Sequence, residues 1–314
     1  MSRILTVTLN PALDLTTGVA RLEEGHKMRC TPPQTDPGGG GANVSRAIRK
    51  LGGASEAFIC TGAPLGLTYR ERFEAGGLPA IWHDCGVPTR QSIAVHDHAT
   101  GGQYRFVMPG EPWGEPVWQG ALAALTQAMR PGDLVVLSGS QPPGVPEDFP
   151  RRLCAHAGRV GAKVIVDTSG RPLEVAAQPN TGAYVLRMDH YEGMELMGWT
   201  EFGPSEAEAL ARELVARGAA EIAIVTLGGD GAWAATAEEA WRCAPPAVEV
   251  LSTTGAGDSF VAALAIGLSE RRAFEDTIAF AVAAAADAVT TAGTDLCTLE
   301  GTLEKLARVT RERL

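Results

Sequence analysis

Apolar runs of strand length alternate with helical patterns along most of the chain, and this alternation restricts the fold more than any other feature. Four runs are nearly continuous in aliphatic residues: DLVVLSG, AKVIVDTSG, GAYVLRMD and EIAIVTLGG. Such runs are typical of strands that are buried on both faces of a parallel sheet. The sequence therefore predicts an α/β fold, with a doubly wound, mostly parallel sheet flanked by helices. In such sheets ligands bind at the carboxyl ends of the strands.

Two stretches, Leu15–Cys30 and Arg90–Met108, do not follow this alternation. The second resembles two antiparallel strands joined at ATGG. We expect the two stretches to form a small separate sheet that covers the site as a lid. The expected division assigns residues 1–10, 37–89 and 109–314 to a large domain and residues 11–36 and 90–108 to the lid.

The composition narrows the class of partner. The formal net charge is −10 and there is no run of Lys and Arg, which argues against binding to nucleic acid or to an anionic membrane. The apolar stretch AFAVAAAADAVTTAG is too short to span a membrane and contains Asp287. The N-terminus lacks the pattern of a signal peptide. The six cysteines occur singly, which favours reduced thiols over disulfides or a metal site, and we expect a cytoplasmic protein.

The segment PGGGGANVSRAIRKLGG runs four glycines directly into a helical pattern. Glycines let the backbone approach a ligand closely, and a helix start offers free N–H groups to an anion or to hydroxyls. The alternative is a flexible turn in which Asn43 only starts the helix. The segment lacks the spacing of a dinucleotide-binding fingerprint, and no GxxxxGK[ST] phosphate loop occurs in the chain. These absences argue against a dehydrogenase and against a P-loop enzyme.

A second small-residue segment, TTGAGDSF, opens the helical pattern VAALAIGLSE. Asp258 lies at this helix start, where an aspartate is favoured simply as a cap. The functional alternative is a general base beside backbone N–H groups that hold a transferring phosphoryl group. Taken alone, the segment favours the cap, and spacing does not separate the two interpretations.

The segment TLGGDGAW has two interpretations as well. It either wraps a nucleotide phosphate or makes a hairpin turn between EIAIVTL and AWAATA, and by itself it favours the turn. The predicted small sheet carries the cations Lys27, Arg29, Arg90 and Arg105. Most surface cations are simply solvated, but Arg90 and Arg105 fall near the two ends of one hairpin. They could therefore bind one phosphate together.

These segments in combination resemble the ribokinase/PfkB family of sugar kinases. The resemblance rests on NPALD, PGGGGANVSRAIRKLGG, GGQYRFVMPG, VVLSGSQPPGV, TLGGDGA and TTGAGDSF, in register from about Arg3 to Leu296. YRFVMPG and SGSQPPGV resemble the phosphofructokinase and tagatose-6-phosphate kinase branch. The family implies a ribokinase-like fold with a β-sheet lid that also forms a dimer interface. It also implies transfer of the ATP γ-phosphoryl group to a sugar hydroxyl with Mg²⁺, often with a monovalent cation such as K⁺.

By position, the resemblance gives the site residues their roles. Asp258 is the base, and the anion hole is formed by Gly255, Ala256 and Gly257. The positions that hold the sugar hydroxyls are Asp14, Gly39, Gly40 and Asn43. Those around the sugar phosphate are Lys27, Arg90, Arg105 and Ser138, of which Lys27 reaches across a dimer. The nucleotide is held by Arg187 and by Thr226, Gly228 and Gly231 of the loop Thr226–Gly231. The monovalent cation is expected near Ser252, Thr254 and Gly293.

One segment departs from the family pattern Lys-Pro-Asn-x-x-Glu, in which Asn and Glu organise Mg²⁺ through water. Here it reads RMDHYE, from Arg187 to Glu192. Glu192 is kept, Asp189 adds a charge near the metal, and Arg for Lys is not a neutral change near a phosphate. The chain is then a kinase with altered metal preference, a slow kinase, or a binding protein. Because Asp258 and the other site positions are kept, we favour the first, with Mg²⁺ closer to Asp189.

The expected function is ATP-dependent phosphorylation of a phosphorylated ketohexose, with fructose 6-phosphate first and tagatose 6-phosphate and fructose 1-phosphate as rivals. An unphosphorylated substrate would not need Lys27, Arg90 and Arg105 together. A protein of a different class, a non-catalytic regulator that binds nucleotide or sugar phosphate, is supported only by RMDHYE.

Overall fold

Fourteen strands occur in the computed structural model, which describes residues 1–291 and 295–314. In chain order they are β1 (Ile4–Thr8), β2 (Ala12–Val19), β3 (Gln34–Gly38), β4 (Glu56–Thr61), β5 (Ala80–Asp84), β6 (Arg90–Asp97), β7 (Gln103–Val107), β8 (Leu134–Ser138), β9 (Lys163–Asp167), β10 (Ala183–Asp189), β11 (Ala220–Thr226), β12 (Ala232–Ala235), β13 (Ala240–Ala244) and β14 (Thr310–Arg313). β2, β3, β6 and β7 form a small sheet, and the other strands form a large one.

The large sheet has the order β14-β13-β12-β11-β10-β9-β8-β1-β4-β5. Neighbouring strands from β11 to β5 are parallel, whereas β12, β13 and β14 extend the sheet with antiparallel pairs. The apolar runs of the sequence occupy the central strands, where both faces are buried. The predicted fold class, a doubly wound, mostly parallel sheet with a small second sheet, is confirmed.

Helices cover both faces of the large sheet. They are α1 (Gly40–Lys50), α2 (Leu65–Ala75), α3 (Glu115–Ala128), α4 (Phe149–Val160), α5 (Arg171–Ala176), α6 (His190–Met197), α7 (Pro204–Ala216), α8 (Ala256–Ser269), α9 (Phe274–Ala288) and α10 (Leu299–Leu306). Buried side chains of α3, α4, α5 and α7 share one core, and those of α1, α8 and α9 share the other. α8 is buried almost all round because it lies between the sheet and α9.

The small sheet has the order β3-β2-β6-β7, with β2 and β6 parallel. The predicted hairpin of Arg90–Met108 is β6 and β7. The other predicted stretch, Leu15–Cys30, contributes only its first residues, through β2, and residues 20–33 contain no strand. These residues are mostly exposed. They include Pro32 and Pro33, which have no backbone N–H to donate to a neighbouring strand.

Within residues 1–291 and 295–314, no helix combines the length and apolarity that a membrane span requires. All six cysteines are free: Cys60, Cys154, Cys243 and Cys297 are buried, Cys85 is half-buried and Cys30 is exposed. This agrees with the expectation of reduced, mostly buried thiols.

The start of α1 lies directly on the ends of β1 and β8. A Cβ atom on Gly40 would lie 2.5 Å from Ser138 Oγ, and one on Gly41 would lie 2.3 Å from the Val7 carbonyl oxygen. Only glycine fits at such distances. The glycine run therefore lets the start of α1 pack closely against β1 and β8. Because Asn43 lies on the same helix, this packing also sets the position of Asn43.

We expect Gly41→Ala to lower the free energy of unfolding by about 1–3 kcal/mol, because the added methyl group forces α1 away from β1. Gly120→Ala is the matched control, since Gly120 is also helical and a Cβ atom there meets nothing within 4 Å. It should raise the free energy of unfolding by up to about 1 kcal/mol. Urea unfolding of both variants measures the difference, and equal midpoints would contradict the close-packing argument.

Candidate active site

A cleft of about 190 Å³ lies at the carboxyl edge of the large sheet, beside the start of α8. The lining residues used below are Ser138, Asp167, Arg187, Glu192, Gly257 and Asp258. They come from the ends of β8, β9 and β10 and from the first turns of α6 and α8. The cleft therefore lies where a doubly wound sheet is expected to bind its ligand.

The turn before α8 has the geometry of an anion-binding helix start. Gly255 is the N-cap residue with φ +80°, a left-handed conformation that favours glycine, and a Cβ atom there would lie 2.8 Å from Leu296 Cδ2. The Ala256 N–H donates to the Thr253 carbonyl over 3.4 Å. First-turn N–H groups of a helix have no partner within the helix. Gly255 and Gly257 line the cleft, so this turn can hold an anion there.

Asp258 lies within the first turn of α8 and is not its N-cap residue. Its Oδ2 atom accepts a hydrogen bond from Asn43 Nδ2 at 2.9 Å, which joins the starts of α8 and α1. Burial raises the pKa of Asp258 to about 7, and the negative charge of Asp167 adds to that effect. A carboxyl with this pKa exchanges a proton near neutral pH, which suits a general base.

Arg46 is a residue that sequence reasoning missed. Its Nη1 atom donates to Asn43 Oδ1 at 3.2 Å, which turns the amide nitrogen of Asn43 towards Asp258. The positive charge of Arg46 also lowers the pKa of both Asp14 and Asp258. The spacing of Asn43 and Arg46, one helical turn apart, was a signal that could have indicated this contact.

The small sheet places Asp14 and two arginines near one another. Burial raises the pKa of Asp14 to about 6, while Arg90 and Arg105 lower it. Arg105 Nη1 donates to Thr254 Oγ1 at 3.3 Å and so links the small sheet to the turn before α8. Arg90 donates to the carbonyl oxygens of Asn10 and Met108. Its guanidinium is therefore occupied by backbone in this structure.

The other sugar-side positions differ in their surroundings. A Cβ atom on Gly38 would lie 1.9 Å from Asp14 Oδ2, so the chain passes very close to this carboxylate. Gly39 has φ +123° and is the N-cap residue of α1, with Gly40 directly after it. Ser138 is buried and donates to Asp167 Oδ2 at 2.8 Å. Lys27 is exposed in the segment without strands, and it does not line the cleft.

The segment RMDHYE, which differs from the family pattern, forms the end of β10 and the start of α6. Asp189 and Glu192 make a capping box, in which Asp189 Oδ1 accepts from the Glu192 N–H at 2.9 Å and Glu192 Oε2 accepts from the Asp189 N–H at 2.8 Å. Burial raises the pKa of Glu192 to about 7. Aspartate at position 189 is therefore also a good helix cap.

Arg187 connects the nucleotide side of the cleft to an acid that sequence reasoning missed, Asp167. Its Nη1 atom lies 3.1 Å from Asp167 Oδ1 and its Nη2 atom lies 2.8 Å from Thr226 Oγ1. An aspartate at the end of the apolar run AKVIVD, followed by Thr, Ser and Gly, was a signal for Asp167. Gly228, in the 3₁₀ turn Gly228–Asp230, and Gly231 have positive φ between β11 and β12. The predicted hairpin turn is therefore present.

Two of the positions expected for a monovalent cation lie next to the turn before α8. Ser252 Oγ accepts from the Thr254 N–H at 3.2 Å. The third, Gly293, lies outside the described residues.

A buried carboxyl beside a helix start that can bind an anion, in a cleft at the end of a doubly wound sheet, is an arrangement expected of a phosphotransferase that acts on a hydroxyl. The model of the pfkB family of carbohydrate kinases matches residues 7–300. The chain therefore belongs to the pfkB family of carbohydrate kinases, and it is an ATP-dependent kinase.

Curated relatives are similar over most of their length. The chain is 37% identical over 295 residues to ATP-dependent 6-phosphofructokinase isozyme 2 of Mycobacterium tuberculosis, covering 94% of this chain and 86% of the relative. It is 35% identical to the protein of the same name from Escherichia coli, covering 99% and 100%. It is 33% identical to 1-phosphofructokinase of Xanthomonas campestris, covering 84% and 83%.

Solved structures are similar in fold and in sequence. A crystal structure of phosphofructokinase-2 from Escherichia coli in complex with potassium has a TM-score of 0.93 and 34% identity, covering 98% of this chain and 99% of that one. The same protein in complex with fructose 6-phosphate has a TM-score of 0.90, with the same identity and coverage.

We expect Asp258→Asn to stabilise the protein more at pH 7.5 than at pH 5. Folding raises the pKa of Asp258 from 3.8 to about 7. Between pH 3.8 and about pH 7, the folded protein therefore keeps a proton on Asp258 that the unfolded chain releases. Wild-type stability therefore falls as pH rises through this window, by up to about tenfold in the folding equilibrium per pH unit, and is lowest above pH 7. Asparagine removes this dependence.

Thermal unfolding at the two pH values measures the effect, with Leu67→Ala, an exposed and uncharged site, as the control for pH effects on the whole protein. A difference between Asp258→Asn and wild type that does not change with pH would contradict the raised pKa.

Proposed function

We propose that this chain transfers the γ-phosphoryl group of ATP to a phosphorylated ketohexose, with fructose 6-phosphate as the preferred substrate. The proposal rests on the surroundings of Asp258, which lies beside the Gly255–Gly257 turn. Asp258 accepts a hydrogen bond from Asn43, and its burial raises its pKa to about 7. Two relatives named 6-phosphofructokinase support the choice of sugar. Tagatose 6-phosphate and fructose 1-phosphate are the alternatives, and the relative named 1-phosphofructokinase favours the second.

In the proposed reaction the sugar hydroxyl oxygen attacks the γ-phosphorus and its proton passes to Asp258. The bond from phosphorus to the bridging oxygen of ATP breaks, and ADP leaves with that electron pair. The N–H groups of Gly255, Ala256 and Gly257 hold the transferring group, for which the Ala256 N–H must share or leave the Thr253 carbonyl. Such fixed donors are effective because phosphoryl transfer depends mainly on positioning and charge stabilisation.

The remaining roles are proposals that follow the charge and position of each residue. The sugar hydroxyls are held by Asp14, Gly39, Gly40 and Asn43. The sugar phosphate is held by Lys27, Arg90, Arg105 and Ser138. The nucleotide is held by Thr226, Gly228 and Gly231, with Arg187 at the same site beside Thr226. For Arg90 to take part, its bonds to the Asn10 and Met108 carbonyls must be shared or exchanged. The lid is proposed to comprise residues 11–36 and 90–108, and the large domain residues 1–10, 37–89 and 109–314.

The residues around Asp189 fit Mg²⁺ bound through water. Among residues 1–291 and 295–314 no cluster of three or more His, Cys, Asp and Glu could hold a metal directly. Asp189 and Glu192 each use one carboxylate oxygen in the capping box, and the other oxygen of each would be the one to bind the waters of the ion. Mg²⁺ commonly keeps several waters and binds one or two carboxylates. When bound, the ion would neutralise charge on the ATP phosphates.

A bound monovalent cation is a further part of the proposal. A monovalent cation, K⁺, would lie near Ser252, Thr254 and Gly293, and the relative that was crystallised with potassium supports it. Replacing K⁺ by Na⁺ in the assay should then reduce turnover.

A homodimer would form through the small sheet. Its edge strand β7 exposes 46% of Tyr104 and 53% of Phe106 on one face and 62% of Val107 on the other, beside unpaired backbone. Lys27 would then reach across to the partner. Sedimentation velocity should give the dimer mass, and a monomer would contradict this arrangement.

We expect release of ADP with fructose 6-phosphate to exceed that with fructose 1-phosphate, tagatose 6-phosphate and unphosphorylated sugars. Asp258→Asn should lower kcat by about 10²–10⁴-fold, because the proton acceptor is lost. Asp276→Asn, at an exposed aspartate that pairs with Arg311, is the matched control and should keep full activity. A coupled ADP-release assay makes both measurements. No turnover on any sugar, with ATP and sugar phosphate still bound, would favour the non-catalytic regulator.

We expect Asp189→Asn to change the metal dependence of turnover, because it removes a negative charge at the proposed metal site while leaving an amide that still caps α6. The Mg²⁺ and Mn²⁺ concentrations for half-maximal activity should both rise, and the ratio of the two should change. An unchanged Mg²⁺ and Mn²⁺ profile would show that Asp189 acts only as the helix cap. Direct Mn²⁺ binding, followed by its paramagnetic signal, checks the result without turnover.

A further inference from the structure

Arg187 lies in the middle of the large sheet, on a strand flanked by parallel partners on both sides. In the register of β9 and β10 it lies directly beside Asp167. In the register of β10 and β11 it lies beside Ile224, and Thr226 follows two residues later. Side chains two residues apart on a strand project from the same face. Arg187, Asp167 and Thr226 therefore share the face on which α8 begins.

Hydrogen bonds connect these side chains into one row across four adjacent strands. Ser138 Oγ of β8 donates to Asp167 Oδ2 of β9 at 2.8 Å. Asp167 Oδ1 lies 3.1 Å from Arg187 Nη1 of β10. Arg187 Nη2 donates to Thr226 Oγ1 of β11 at 2.8 Å. We call these four residues the polar row. It runs from a residue on the proposed sugar side, Ser138, to the first residue of the proposed nucleotide loop.

The polar row also contacts the start of α8. The guanidinium carbon of Arg187 lies 5.9 Å from the centre of the Phe260 ring. A Cβ atom on Gly257 would lie 3.4 Å from Arg187 Nη1. The row therefore packs directly beneath the turn that carries the proposed anion hole, and a shift of Arg187 would move that turn relative to Thr226.

Arginine is the side chain that closes this row. Its planar guanidinium offers donors at fixed angles, so two of them can satisfy an acceptor on either neighbouring strand at once. A lysine has a single nitrogen and lacks the planar fork that places a separate nitrogen against each acceptor. Only 12% of the Arg187 side chain and 13% of the Asp167 side chain are exposed, so solvent competes little with the pair.

We propose that Arg187 is a positioning residue that fixes the nucleotide loop and Asp167 relative to the turn before α8. The proposal rests on the proposed function, since it assumes that ATP binds at Thr226–Gly231. In it Arg187 acts through Thr226 and Asp167. In the alternative role, Arg187 would bind an ATP phosphate directly. Arg187 lines the cleft, so a direct contact with a phosphate there is the alternative to be tested, whereas its Nε atom is buried with no hydrogen-bond partner among the described residues.

A double-mutant cycle with Arg187→Lys and Thr226→Val separates the two roles. Lysine keeps the charge and loses the fork, and valine keeps the shape of threonine and loses the acceptor. Binding of a non-hydrolysable ATP analogue, measured by calorimetry, is the readout. If Arg187 acts through Thr226, we expect about tenfold weaker binding in each single variant and no further loss in the double variant.

Kinetics of the same variants give a second readout that a purely structural role would not move. We expect the KM for ATP to rise about tenfold in Arg187→Lys, with a smaller fall in kcat, since the loop is displaced while lysine keeps the positive charge beside Asp258. Arg212→Lys is the matched control, because Arg212 forms an exposed ion pair with Glu208 on α7. It should leave binding and kinetics unchanged.

Three results would overturn the proposal. Additive losses in the double variant would assign Arg187 a direct grip on the nucleotide. Unchanged analogue binding in Arg187→Lys would remove any role in positioning the loop. A lowered melting temperature with unchanged affinity of the folded fraction would reduce Arg187 to a structural residue. The proposed function fails separately, because wild-type turnover on the sugar panel decides it without any Arg187 variant.

Discussion

The hydrogen bond between Asn43 and Asp258 is the contact on which the rest of the site depends. It joins two helix starts that are 215 residues apart in the chain, those of α1 and α8. Each start is set by glycines that have no space for a side chain: Gly40 and Gly41 against β8 and β1, and Gly255 against Leu296. Close backbone packing therefore fixes where the buried carboxylate and its amide partner meet.

Charge within the cleft is arranged around that contact. Burial and the nearby Asp167 raise the pKa of Asp258, whereas Arg187 and Arg46 lower it. The balance leaves a carboxyl that titrates near neutral pH, which general-base catalysis requires. The same two arginines are held by hydrogen bonds to other site residues, Arg187 by Asp167 and Thr226 and Arg46 by Asn43. The groups that tune the base thus also order its surroundings.

The departure from the family pattern is a change of the contacts that hold the site as well as a change of charge. Arg187 links the carboxyl ends of β9, β10 and β11 through two separate guanidinium nitrogens, whereas a lysine has only one nitrogen. Asp189 caps α6 and shares a capping box with Glu192. The arginine therefore has a local structural reason, whereas capping does not distinguish Asp189 from the asparagine of the family pattern.

The sequence by itself determined the α/β fold, the hairpin of the small sheet and the glycine-rich helix starts, because periodicity and glycine runs are local signals. The sequence did not decide whether Asp258 is a helix cap or a general base. It also did not indicate the role of Arg46 or the contact of Asp167 with Arg187. Those answers depend on distance in space: Asp258 meets Asn43, 215 residues away in the chain, and Asp167 meets Arg187 on the neighbouring strand. Only the tertiary structure decided them, because burial and pairing between distant segments set a pKa and an orientation that no local pattern contains.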